Sequence, residues 1–167
     1  MKTISSLKKL INIYYYILVI GFVVFTTVLP ILFSLDKLKY LHFIKDYDLS
    51  KLSLMAFLSI LLVSSIIYFL FLKAIYLLKT SLKDLTDENY FSEIVIKNFN
   101  RAGRLILIVG ICNTIFKFLL QFILMDKVEF GVNNSLILSI IIGLFLMFLS
   151  EVFEKGRKTQ QENDLTI

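Results

Sequence analysis

Between Lys51 and Lys73 the chain reads LSLMAFLSILLVSSIIYFLFL, residues 52–72, without a single charge. At about 1.5 Å of helical rise per residue this run reaches about 31 Å, the thickness of a bilayer's hydrocarbon core. Its apolar residues are continuous and show no alternation with period two, so a barrel strand is excluded. Backbone polar groups in lipid must pair within the segment, and a helix does this.

Three more runs of this kind flank it. One lies between Lys9 and Asp36, one between Arg104 and Asp126 interrupted by Lys117, and one between Glu129 and Glu151. The expected spans are about 10–35, 52–72, 105–125 and 131–150, followed by a tail at 151–167. Composition agrees: 57% of the 167 residues are hydrophobic and 19% charged, with mean hydropathy +0.80, whereas soluble chains are nearer a quarter charged. The expected fold is an all-α integral membrane protein of four transmembrane helices. Lys2, Lys8 and Lys9 precede the first run as they would in a secretion signal, but the run is too long and no small-residue cleavage site follows, so it reads as a retained anchor. Pro30 near its far end marks either a bend toward the loop or nothing more than a helix end.

Basic residues set the expected orientation. Twelve of the 18 Lys and Arg fall before the first run, between the second and third, and after the fourth; five fall on the other side, and Lys117 lies within a span. The positive-inside rule then places both termini and the central loop in the cytoplasm. The net charge of +5 is a topology signal, split among short juxtamembrane pieces, and does not point to direct nucleic-acid binding. Tyr14, Tyr15 and Tyr16 on one side, and Tyr40 and Tyr47 on the other, suit interface anchors.

In the central loop a turn is expected at Asp84 to Asn89. Phe91, Ile94, Val95, Asn98, Phe99 and Ala102 follow at helical spacing, predicting a cytoplasmic amphipathic helix before the third span. Its apolar face can lie on the bilayer, pack on the other helices or receive a partner.

Chemistry-bearing residues are few. Cys112 and His42 are the only cysteine and histidine, and no metal-ligand spacing, phosphate loop or nucleophile motif occurs. Neither an enzyme nor a cofactor is expected. Lys117 is the costly residue, at about 2.5–3.5 kcal/mol in the bilayer core. With Asn113 and Gln121 it forms an i, i+4, i+8 polar stripe on the third span, and Thr114 lies beside it. The stripe is either a polar path through the bundle or a set of interhelical hydrogen bonds, with Lys117 snorkelling about 12 Å to the membrane surface.

The tail carries a resemblance. Phe153 and Gly156 form a phenylalanine, two residues, glycine step, and the chain ends Glu162, Asn163, Asp164, Leu165, Thr166, Ile167. This resembles the C-terminal signature of a bacterial membrane protein family catalogued as domain of unknown function 2975. The layout is similar throughout, including the step from Phe99 to Gly103 into the third span. Leu85 to Asn89 stand where the family carries a proline-phenylalanine-threonine piece. The resemblance implies four spans in a bacterial inner membrane and a partnership with a small cytoplasmic helix-turn-helix regulator. The tail residues would then dock on that partner or on the chain's own inner loop. A small transporter, channel or immunity-type protein using the stripe is the other reading, and a homo-oligomer is left open.

Overall fold

A computed structural model describes residues 2–35, 52–87, 89–124 and 134–164. They form four helices: α1 at Lys2–Ser34, α2 at Leu54–Thr86, α3 at Glu93–Leu124 and α4 at Asn134–Asp164. All four are long and apolar enough to cross a membrane, so the architecture is that of a multi-pass membrane protein. The expected anchors Tyr40 and Tyr47, together with His42, Leu165, Thr166 and Ile167, lie outside the described residues.

Each helix is longer than the uncharged run from which it was expected. Thirty-three residues in α2 correspond to about 50 Å, some 20 Å more than the hydrocarbon core. The excess gathers at the end of the bundle that holds the α2–α3 turn, the start of α1 and the last turns of α4, called here the turn end. The main buried core lies there: Ala74, Leu82 and Leu85 of α2, Val95, Phe99, Ala102 and Ile106 of α3, and Leu146 of α4, with Ile4, Ile11, Tyr90 and Phe153 packed around it. By contrast, most large apolar side chains within the runs are exposed, Leu62, Ile66, Ile111 and Phe145 among them. Lipid solvates apolar side chains as well as protein does, so the drive to bury them is strongest at the protruding ends.

Local chemistry sets the helix limits. The Ser53 hydroxyl accepts from the Ala56 amide at 3.2 Å and caps α2. Ser92 begins α3: its hydroxyl accepts from the Val95 amide at 3.1 Å and donates to the Asp84 carboxylate at 2.8 Å. One side chain therefore caps α3 and ties it to α2. The turn expected at Asp84 to Asn89 comes later, because α2 continues to Thr86 and Asp87 ends it. α1 continues through Pro30 to Ser34.

The amphipathic stretch does not form a separate helix. Phe91 belongs to the turn, and Ile94 to Ala102 are the first turns of α3 itself. Val95, Ile96, Phe99 and Ala102 are buried, whereas Ile94 is exposed. The stretch is amphipathic because it packs between α2 and α4, not because it lies on a membrane.

Neighbours in sequence are neighbours in space: α1 packs on α2, α2 on α3 and α3 on α4. The α1–α2 seam is aromatic. Tyr68 donates to the Leu18 carbonyl at 3.0 Å, its ring lies against Phe22 and Phe25, and Phe33 stacks on Phe57 at 4.0 Å. The Lys79 ammonium sits 4.5 Å from the rings of both Tyr15 and Tyr16.

Candidate functional site

Small residues bring α3 and α4 together. A Cβ at Gly103 would stand 2.5 Å from the Gly143 carbonyl oxygen, and one at Gly110 2.5 Å from Ser139 Cβ. Ser139 and Gly143 form a small-xxx-small pair, the pattern that lets backbones approach in lipid. Further toward the turn end, buried Ser150 donates to the Ile96 carbonyl at 2.7 Å, satisfying a hydroxyl that would otherwise be stranded.

The tail begins as a continuation of α4. Phe153 stacks on Phe99 at 5.8 Å and meets Phe91 edge-on at 6.4 Å. Gly156 faces Phe91 so closely that a Cβ would lie 2.8 Å from Cζ and nearer still to Cε1. The phenylalanine-to-glycine step is thus an intramolecular docking element: Phe153 fills the space beside Phe99, and Gly156 admits the Phe91 ring. Beyond it, Thr159, Gln160 and Asn163 line a groove of about 680 Å³ with Asn89, Tyr90, Phe91 and Gly156. Glu162 is exposed on the same helix, and Asp164 is its last residue.

The polar stripe is not gathered in one place. Asn113 lines a groove of about 380 Å³ shared by all four helices, with Ser64, Tyr68, Ser135 and Ser139 as its other polar members. Thr114 donates back to the Gly110 carbonyl at 2.9 Å. Asn113 and Lys117 are both exposed and Gln121 is half-buried, but neither Lys117 nor Gln121 lines that groove. Cys112 is half-buried and unpaired in any disulfide. Among the described residues no three His, Cys, Asp or Glu side chains are grouped as a metal site would require.

Sequence reasoning missed Ser92, Ser150 and the glycine contacts. The Ser139 to Gly143 spacing, and Gly103 seven residues before Gly110, were the signals available for the last. Nothing local to Ser150 or Ser92 announces a partner on another helix.

No curated protein and no solved structure matches the chain. The sequence model of one family, described as protein of unknown function (DUF2975), matches residues 10–167. With nearly its whole length covered, including the Phe153 to Gly156 step and the residues that end it, the chain belongs to the DUF2975 family.

Proposed function

We propose that this protein is a non-enzymatic anchor in the bacterial inner membrane, with both termini in the cytoplasm, that tethers or signals to a small helix-turn-helix regulator. The observation that carries the reading is the groove of about 680 Å³ between the α2–α3 turn and the last turns of α4. It is built from segments outside the uncharged runs, on the side richer in Lys and Arg. The positive-inside rule assigns that side to the cytoplasm, where a DNA-binding partner would be met. Phe91, Phe153 and Gly156 hold the groove's two walls together, so the tail residues Glu162 and Asn163 are presented on a supported helix.

The test is pairwise copurification. Small helix-turn-helix regulators from the same genome are coexpressed one by one with the intact chain, with a chain ending at Gln160, and with a Gln160→Ala, Asn163→Ala variant. Retention by the intact chain, with loss in both variants at unchanged membrane insertion, supports the reading. Equal retention by all three, or by none, overturns it.

A second reading, a small transporter, channel or immunity-type protein, is favoured by the intramembrane groove at Asn113, where hydroxyls and a carboxamide stand among Phe25, Phe71 and Phe116. Lys117 and Gln121 lie outside that groove, which weighs against the stripe acting as a unit. Phenotypic loss in an Asn113→Leu variant that inserts and folds normally would favour this second reading.

A further inference from the structure

Lys97, Arg101 and Arg104 recur at i, i+4 and i+7 on α3, so they share one helix face. Together with Arg157 and the buried Ser150 of α4 they line a cleft of about 430 Å³, along with Glu93, Asn100 and Glu154. The acids are already engaged. Glu93 pairs with Lys97 and stands 4.0 Å from Arg157, while Glu154 holds Lys158 at 3.2 Å. Arg101 and Arg104 are exposed and pair with no described acid. Four cations against two carboxylates leave this cleft two charges positive, with two guanidinium groups free to bind.

Its depth identifies the ligand. Gly103, beside Arg104, meets Gly143 and Met147 of α4, which lie several residues inside the apolar run that ends at Ser150. Arg101 and Arg104 therefore stand at the boundary where apolar chain gives way to charged chain, the level of lipid headgroups. Continuing along the same face of α3, Ile108, Ile111 and Ile115 are all exposed, forming an apolar track that leads from the arginines into the bilayer. We propose that this cleft binds the phosphate of an anionic phospholipid, with Arg101 and Arg104 donating to the phosphodiester and an acyl chain lying on the isoleucine track. Guanidinium suits this role because its planar fork donates two hydrogen bonds to one phosphate, and basic pockets at this depth are suited to anionic headgroups.

The full-length protein in neutral detergent is titrated with phosphatidylglycerol or phosphatidylcholine, and bound lipid is counted by native mass spectrometry. Preference for phosphatidylglycerol is expected. The Arg101→Gln, Arg104→Gln variant should lower its affinity roughly tenfold or more, whereas Lys8→Gln, Lys9→Gln, which removes equal charge from the same end, should change it little. Glu154→Gln removes an anion from the cleft and should raise affinity, a readout that survives should the arginine variant misfold. Equal binding of both lipids, equal loss in the Lys8 and Lys9 variant, or no gain in Glu154→Gln overturns the proposal. Displacement of phosphatidylglycerol by soluble glycerol phosphate overturns the lipid as the source and makes a free phosphate the ligand.

Discussion

Gly103 and Gly143 exclude side chains from each other's helix. A Cβ on the first would be 2.5 Å from the second's carbonyl oxygen, and a Cβ on the second would be 2.9 Å from the first's. Because the atom nearest a Cβ on Gly103 is backbone, no rotamer change relieves that clash, and the helices must separate. Gly103→Ala should therefore destabilise the protein by about 1–3 kcal/mol, even after the gain of about 1 kcal/mol that alanine brings to a helix interior. Reversible unfolding in mixed micelles measures this. Ile111→Ala on the exposed face of α3 is the control and should be near neutral, and equal midpoints for the two variants would contradict the close approach.

The Gly156 contact is of another kind, since Phe91 is a side chain that can turn away. Gly156→Leu should dislodge the Phe91 ring and loosen the last turns of α4 from the α2–α3 turn. Phe91→Ala should relieve the clash, so the double variant should be more stable than the two single effects added together. Hydrogen exchange of residues 157–164 reports the loosening. Strict additivity would mean that the ring and the glycine are not in contact.

Ser150→Ala removes the donor to the Ile96 carbonyl. The cost should be about 1 kcal/mol, the usual net worth of such a bond, because the carbonyl keeps its place within α3. Ser150→Val adds volume at a position only 2% exposed and should cost more. Unfolding midpoints for the pair check both the sign and the order.

Ser92→Ala should cost about 1 kcal/mol through the lost cap of α3, and it also unties Asp84. Ser92→Asp would restore the cap while setting a second carboxylate against Asp84, so it should rescue little. Recovery of full stability in Ser92→Asp would show that capping alone accounts for the serine.

Lys117→Leu tests the charged residue of the stripe. As the side chain is exposed, its removal should leave folding intact and favour insertion of α3 by at most about 3 kcal/mol. A glycosylation-reporter insertion assay reads this directly. Poorer insertion or a loosened bundle would show that Lys117 holds a partner.

The number of spans, their approximate places and the all-helical class were legible in residues 52–72 and the three runs like it, because bilayer thickness converts run length into a span regardless of neighbours. The helix ends were not. Charges at Lys73, Arg104 and Glu151 mark where lipid stops, whereas α2, α3 and α4 continue past them as long as they have one another to pack against. Likewise the face through Val95, Phe99 and Ala102 was visible as a pattern, but a pattern does not say whether membrane, partner or the chain's own helices cover it. Tertiary structure decided that α2 and α4 do. It also separated Asn113, which reaches a groove, from Lys117, which does not, although sequence spacing puts them on one stripe. Spacing along a helix fixes which side chains share a face, and only the placement of neighbouring helices decides which part of that face borders a groove.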